Sequence, residues 1–346
     1  MKIINVGRYT PEIYAPAFSK GFRALGHEVL DIKYDDYLFK QSNFISSLLN
    51  RIQDRYMIGF YLNKFNKDII EAVNQFKPDF VFLYRCYYIY DSTIEQIRSL
   101  TMVMSYNNDD PFSGVPSKLF YKQHISNSKY CHVNFVYRKK NIDDYNKIGI
   151  TNTRLLLPYY LTYNNYPIPN IKKDIPIAFV GHFENDGRDL LIKLMIESGI
   201  PVHVYGNKGW NESKYYSDIR QVLHNGVHGE GYNTLLNRIN ISLVFLSKIN
   251  NDKYTRRCFE IPATKTVMLA QYTEELDELF PEGKCAEYFR NPEELITKCK
   301  LLLAHPEKVE CIANNGYVQL KKIGGSEVDR CEYVTKVYEE LKKSCL

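Results

Sequence analysis

The chain lacks any C-x-x-C pair. Its eight cysteines, Cys86, Cys131, Cys258, Cys285, Cys299, Cys311, Cys331 and Cys345, are scattered, which speaks against a zinc site or a dithiol redox motif. No apolar run approaches the roughly 20 residues that cross a bilayer. No leader is expected, because Lys2-Ile-Ile-Asn-Val6 already reads as a strand. A cytoplasmic, thiol-reduced protein is expected. No repeat at a period of roughly 20 to 50 residues is visible. His182, His203 and His228 have no metal-ligand spacing, so no metal site is expected. There is no basic run interleaved with aromatics and no RNA-binding motif, so nucleic acid is not an expected partner. The net charge of +5 is a mild excess that suits an anionic ligand or a membrane surface.

What is present is a folded, two-domain composition. The 346 residues are long for one domain and comfortable for two, and hydrophobic and charged contents of 45% and 25% are ordinary for a globular protein. Twenty-nine tyrosines are many and fit a bias towards Asn, Lys, Ile and Tyr. From the start, a strand ending at Gly7, a helix over 15–25, the turn Gly26-His27 and the strand Val29-Leu-Asp-Ile32 make one βαβ unit. Further strands are read at 78–83, 101–105, 130–137 and 152–157, with helices at 93–99 and 141–147 between them. The strand at 101–105 delivers Tyr106-Asn-Asn-Asp-Asp-Pro111 to a strand end, where open α/β sheets bind ligands. Asp109 and Asp110 are candidates for proton transfer there. Neighbouring residues on an extended chain face opposite ways, so one should face the site and the other hold the turn before Pro111. Asp110 directly precedes proline, which biases its backbone to extended conformations, and this favours Asp110 as the base.

Residues 39–73 are helical in pattern. Phe44, Leu48 and Ile52 form one stripe, and Lys40, Arg51, Arg55, Lys64 and Lys67 supply a basic side. The pattern suits a pair of core-facing helices, and it also suits an amphipathic surface that touches lipid headgroups. Residues 158–176 have no period and end in Lys172-Lys-Asp-Ile-Pro176, which reads as an interdomain linker. A second α/β domain starts with Ile177-Ala-Phe-Val-Gly181, followed by a loop to Arg188 and a helix over 189–197. Gly181 and Arg188 thus mark a strand-to-helix junction, the kind of place where backbone N–H groups attract phosphate. Pro201-Val-His-Val-Tyr-Gly206 is the next strand.

The most informative stretch runs from Ile241 to Ala270. A buried strand at 241–246 leads through Tyr254-Thr-Arg-Arg to Phe259-Glu260, and a second apolar run lies at Thr266-Val-Met-Leu-Ala270. Arg256, Arg257 and Glu260 fall within about one helical turn. A guanidinium suits phosphate oxygens and a carboxylate suits a pair of sugar hydroxyls, which together fit a nucleotide. The same spacing also suits an Arg–Glu ion pair at a helix end.

Arg257-Cys-Phe-Glu260, Ala263, Val267-Met-Leu269, Tyr272-Thr-Glu-Glu-Leu276, Phe280-Pro-Glu-Gly283, Tyr288-Phe-Arg-Asn-Pro-Glu-Glu-Leu295, His305-Pro-Glu-Lys308 and Ile312-Ala-Asn-Asn-Gly316 resemble the C-terminal signature of group-1 glycosyltransferases with the GT-B fold, in the branch of the spore-maturation type. The resemblance covers roughly 176–340 well and the N-terminal half in outline. It implies two Rossmann-like domains facing a central cleft: 1–165 for the acceptor, 166–325 for a nucleotide-sugar, and a helix over 326–346 that returns to the first domain. It implies Glu260 on the ribose and Arg257 near the diphosphate or donor sugar. Gly181, Arg188, Gly206, Val227, His228, Tyr232, Tyr254 and Arg256 would complete the nucleotide-sugar site, with 227–232 as a loop beside the base. The chain departs from the family at Lys265, where glycine is usual.

The resemblance also implies an enzyme that moves a sugar from a nucleotide diphosphate sugar to a glycan, lipid-linked or protein acceptor without metal or cofactor, in cell-envelope or surface polysaccharide assembly. Peripheral contact at the inner membrane face through 39–67 is expected with it. Arg188 and Arg257, with Lys253 and Arg256 behind them, would offset the charge of the leaving diphosphate. If the sugar inverts, Asp109 or Asp110 takes the proton of the acceptor hydroxyl. The alternative is a non-catalytic nucleotide- or sugar-binding protein on a degenerate GT-B scaffold, a reading that draws on Lys265.

Overall fold

The computed structural model describes residues 1–38, 51, 53, 55–85, 87–114, 118–248 and 250–344. Part of the basic helical stretch, at 39–50, 52 and 54, therefore lies outside the described residues. The chain divides into two compact units, one of Met1–Leu157 with Glu327–Leu346 and one of Pro158–Ser326. No helix among the described residues is long and apolar enough to cross a membrane.

In the first unit β1 (Lys2–Gly7), β2 (Glu28–Lys33), β3 (Phe80–Tyr84), β4 (Met102–Asn107), β5 (Val133–Val136) and β6 (Thr153–Leu155) form a parallel sheet ordered β2-β1-β3-β4-β5-β6. Its central strands are continuous apolar runs because helices cover both faces. β3 divides its side chains by the period of two. Phe80, Phe82 and Tyr84 meet the rings of Phe18 and Phe22 on the helix Ala15–Ala24. Val81 and Leu83 enter the core on the other face with Ile4, Val6 and Ile69. The helix Glu327–Ser344 packs on Ala15–Ala24 at Gly21, where a Cβ would lie 2.6 Å from Cys331 Sγ. Several tyrosines are core residues: Tyr84, Tyr106, Tyr145, Tyr254 and Tyr288 rank among the largest fully buried side chains. The tyrosine excess therefore does structural work that composition alone does not reveal.

The second unit holds β7 (Ile175–Val180), β8 (Val202–Gly206), β9 (Leu223–Asn225), β10 (Ile239–Val244), β11 (Val267–Gln271) and β12 (Glu287–Phe289), again parallel, ordered β12-β11-β10-β7-β8-β9. The stretch read as a linker is packed into this unit. Tyr159, Tyr160 and Leu161 are buried, and Tyr160 N–H donates to Gly325 C=O at 3.0 Å. Further along, Ile168 N–H donates to Asn237 Oδ1 at 2.8 Å and Asn237 Nδ2 to Tyr166 C=O at 3.0 Å. A segment without periodicity is thus held by side-chain amides that substitute for a ladder.

Lys265 adopts φ +53° just beyond the helix Arg257–Ala263. It takes the left-handed conformation that glycine supplies more cheaply, and its N–H donates to Pro262 C=O at 3.0 Å. Its ammonium lies 5.4 Å from the Tyr317 ring centre, a contact that glycine would not make. The turn is therefore formed despite the substitution.

His124, on the helix Lys118–Ser128, is buried edge-on against Tyr87, with Nε2 3.0 Å from the Tyr145 hydroxyl. Burial lowers its pKa from 6.5 to about 4. The unfolded chain therefore binds a proton first as pH falls. Stability present above 6.5 is lost progressively down to about 4, in total about 3 kcal/mol at about 1.4 kcal/mol per unit. Urea unfolding at pH 7 and pH 4.5 should show this loss in the wild type and a smaller one in His124→Gln. Equal losses in both proteins would remove His124 as a cause.

Candidate functional site

The order of the second sheet locates its ligand site. From β7 the chain proceeds outward through β8 and β9 on one side, and β10, β11 and β12 extend the other. The switch point falls between β7 and β10, and the loops beyond their carboxyl ends are where such sheets bind ligands. These loops run from Gly181 to Gly187 and from Phe245 to Arg256, and they lead into the helices Arg188–Glu197 and Arg257–Ala263.

Glu260 lies in the first turn of the second helix and is only 4% exposed. A buried carboxylate needs partners, and both of its oxygens have them. Oε1 forms a close ion pair with Arg256, and Oε2 accepts from the Tyr232 hydroxyl at 2.8 Å. Burial opposes the Arg256 charge, yet Glu260 holds its pKa above the ordinary arginine value. Tyr232 is raised well above the usual tyrosine value by burial and by the same carboxylate. The ion pair that the spacing suggested is thus made with Arg256, which also lies 5.9 Å over the Tyr159 ring. Each carboxylate oxygen still has a second lone pair to offer a hydroxyl.

Arg257 is placed differently. It forms no hydrogen bond or ion pair among the described residues, and its guanidinium lies over the Phe179 ring at 5.9 Å. The space it occupies exists because position 181 is glycine: a Cβ there would stand 2.8 Å from Arg257 Nη2 and 2.8 Å from Phe179 Cζ. Gly206, at the end of β8, similarly makes room for Trp210, whose Nε1 donates to Gly181 C=O at 3.0 Å.

Arg188 is not available to a phosphate as expected. It is buried, with Nε donating to Asp186 Oδ1 at 2.9 Å, Nη2 to Asp186 Oδ2 at 2.6 Å and Nη1 to His182 C=O at 2.8 Å. Nη2 also lies 3.4 Å from Glu184. The Glu184 carboxyl is lowered to about 2 by the hydrogen bond from His182, helped by Ser247 and Arg188, against burial. Arg188 therefore fastens its own loop, and the two carboxylates cancel its charge.

The segment expected as a loop over 227–232 is shorter. Gly229, with φ +58°, turns the chain into the helix Glu230–Arg238, so Tyr232 sits in a first helical turn with Val227 and exposed His228 just before it. Tyr254 is a core residue. Sequence reasoning passed over two adjoining cavities of about 190 and 500 Å³ at the carboxyl ends of β10 to β12, which share Lys248, Gln271, Phe289 and Arg290. Lys248 stands two residues after the apolar run that ends at Leu246, and a cation near a strand end was the available signal.

In the first unit the two aspartates differ from expectation in exposure. Asp110 is 0% exposed and accepts from Phe112 N–H at 3.0 Å and Asn141 Nδ2 at 2.8 Å, with Lys140 Nζ at 3.5 Å. It folds its carboxylate back onto its own turn, which the proline argument did not anticipate. Asp109 is the one that reaches partial exposure, at 19% of its side chain. Its Oδ2 accepts from Arg85 Nη2 at 2.5 Å and from the Tyr87 hydroxyl at 3.1 Å, and its N–H donates to Asn107 Oδ1 at 3.0 Å. Arg85, Tyr87 and Asn107 were not singled out in the sequence, although Arg85 stands directly after the β3 run.

Residues 188–322 match the family model described as glycosyl transferase-like. No curated protein matches. Among solved structures the chain is similar to sucrose-phosphate synthase (tll1590) from Thermosynechococcus elongatus, with a TM-score of 0.69, 11% identity, and coverage of 99% of this chain and 100% of that one. It is also similar to Anabaena Alr3699/HepE in complex with UDP, with a TM-score of 0.69, 8% identity, and coverage of 98% and 100%. A glycosyltransferase from Rickettsia africae ESF-5 gives 0.68, 12%, 99% and 98%.

Gly181→Ala tests the placement of Arg257. The arginine tail can yield to the methyl group, but the Phe179 ring is packed, so a loss of stability of about 1–3 kcal/mol is expected. Displacement of the guanidinium should also weaken binding of a nucleoside diphosphate more than of the monophosphate in calorimetry. An unchanged ratio in a folded variant would separate Gly181 from phosphate recognition.

Proposed function

We propose that this chain, which has the GT-B fold and a glycosyl transferase-like domain over residues 188–322, is a glycosyltransferase that moves a sugar from a nucleotide diphosphate sugar to an acceptor hydroxyl. The observation that carries the reading is the difference among three arginines. Arg188 and Arg256 are bound to carboxylates, while Arg257 has no polar partner among the described residues and stands three positions before Glu260, hence on one helix face with it. Glu260, held by Arg256 and Tyr232, accepts from the ribose hydroxyls. Arg257 offsets the developing charge on the leaving diphosphate, with exposed Lys253 as a second cation. Uridine is the first base to try, because HepE is solved with UDP.

The acceptor O–H bond breaks, its oxygen bonds to the anomeric carbon, and the bond from that carbon to the diphosphate breaks with its electron pair on the diphosphate; the proton goes to a general base if the configuration inverts and to the leaving diphosphate if it is retained. The acceptor is a glycan, lipid-linked or protein hydroxyl of cell-envelope or surface polysaccharide assembly. A lipid-facing surface is part of the same proposal: Tyr56, Ile58 and Phe60 are 60%, 63% and 75% exposed beside Arg51 and Arg55, a combination that suits anionic headgroups.

Thermal unfolding with and without UDP tests the donor site. A ligand that binds only the folded state raises the melting temperature by mass action. Glu260→Gln keeps the side-chain volume but removes the charge. Affinity should fall by roughly ten- to a hundredfold, from the loss of about 1.5–3 kcal/mol of charged hydrogen bonding. The ligand-induced shift is the readout, because Arg256 loses its partner and the variant melts lower in any case. An undiminished shift would leave Glu260 as an ion-pair partner only.

A further inference from the structure

Trp210 is the only tryptophan of the chain, and it is 2% exposed. It stands on the short turn Lys208–Glu212 that follows β8. A glycine makes the position possible, because a Cβ on Gly206 would lie 2.4 Å from Trp210 Nε1. The indole N–H donates to Gly181 C=O at 3.0 Å, as a buried indole needs a polar partner. On its other side, Gly181 N–H donates to Tyr205 C=O at 2.9 Å. Both backbone polar groups of Gly181 are therefore fixed, one by β8 and one by the indole.

The same ring supports the surface on which Arg257 lies. The indole stands at 70° to the Phe179 ring with centres 5.8 Å apart, and it lies 5.5 Å from Phe183. Phe179 carries two guanidiniums, Arg257 at 5.9 Å and Arg188 at 5.7 Å. Arg188 is also tied to Asp186, so its place does not depend on the ring. Arg257 has no hydrogen bond or ion pair among the described residues. Its place is set by the Phe179 face and by the gap at Gly181, where a Cβ would lie 2.8 Å from its Nη2. Trp210 touches both of these supports, Phe179 by its ring and Gly181 by its N–H.

We propose that Trp210 is a positioning residue for the phosphate-binding cation: it fixes Gly181 and Phe179, and so holds Arg257 where it meets the diphosphate of the donor. The inference rests on the glycosyltransferase reading above. Trp210 touches no substrate and acts through Arg257. Phenylalanine at this position keeps an aromatic ring beside Phe179 but leaves Gly181 C=O without its donor, and an unmade buried hydrogen bond is costly. A peptide that turns to find another donor redirects the guanidinium beside it. Glu260 is held separately, by Arg256 and Tyr232, so recognition of the ribose is spared.

The test uses the full chain and calorimetry with UDP, ADP, GDP and dTDP, each against its monophosphate. If the wild type binds none of the four diphosphates, the reading and this inference fall together. Given binding, Arg257→Met should weaken the diphosphate by roughly ten- to a hundredfold and leave the monophosphate nearly unchanged. Without that selective loss Arg257 is not the diphosphate cation, and the inference falls with that assignment. Trp210→Phe should reproduce the selective loss, at roughly tenfold. The double variant should bind no more weakly than Arg257→Met alone, since coupled residues do not add. An equal loss for both ligands, no loss, or additive losses in the double variant would make Trp210 structural only and leave the reading intact. If Trp210→Phe does not fold, the fluorescence of the wild type decides, because Trp210 is the only indole. The diphosphate should shift its emission and the monophosphate should not. The same emission with both ligands would overturn the proposal.

Discussion

A buried carboxylate is the constraint around which the second unit is arranged. Glu260 stands in a nearly closed environment, where an isolated charge would cost far more than the fold could supply. Arg256 and Tyr232 resolve this from two elements, one before the helix Arg257–Ala263 and one on the helix Glu230–Arg238. Removing either partner of such a pair costs about 3–5 kcal/mol, so the three groups stand or fall together. The carboxylate that results is charged, oriented and close to the surface at a strand switch point. A buried carboxylate has to take its counter-charge from the protein itself.

That requirement explains why neighbouring arginines differ in fate. Arg256 neutralises Glu260 and Arg188 neutralises its own loop, which leaves each without net charge to offer. Arg257 comes directly after Arg256 but emerges where Gly181 has vacated the space and Phe179 offers a ring face. A ring supports a guanidinium without consuming its donors. The cation is thus held in place while its donors make no hydrogen bond among the described residues. The glycine that looks like a phosphate-binding signature makes room for the arginine.

Much of the architecture was legible because both sheets are parallel and covered on both faces. Their strands read as unbroken apolar runs such as Phe80-Val-Phe-Leu83 and Ile177-Ala-Phe-Val180, and the turns between them are marked by glycine. That Arg256, Arg257 and Glu260 lie close together was legible because they fall within about one helical turn. What was not legible depended on partners distant in sequence or on competition within a turn. The stretch 158–176 looks like a linker because the order of its middle comes from Asn233 and Asn237, roughly 70 positions later. Arg188 looks like a phosphate ligand until Asp186, two residues away, is seen to claim it. Asp109 and Asp110 differ from expectation in exposure because the Asp110 side chain could reach Phe112 N–H, and a local hydrogen bond outweighed the conformational bias before proline.

Backbone strain at Lys265 and at Arg85 separates a tolerated departure from an informative one. Both residues adopt φ near +50° where glycine would be easier. At Lys265 the conformation closes a helix, a task independent of the side chain. Its lysine adds only a contact with Tyr317, and glycine at this position would make the same turn. Reading Lys265 as a mark of a degenerate scaffold therefore loses its basis, since the turn is intact. At Arg85 glycine would make the same backbone turn but would remove the guanidinium that holds Asp109. There the strained backbone and the charged side chain serve one end, and neither is explained without the other. Strain is informative only where the side chain that bears it has a task that the unstrained alternative could not perform. In this chain that criterion excludes Lys265 and retains Arg85.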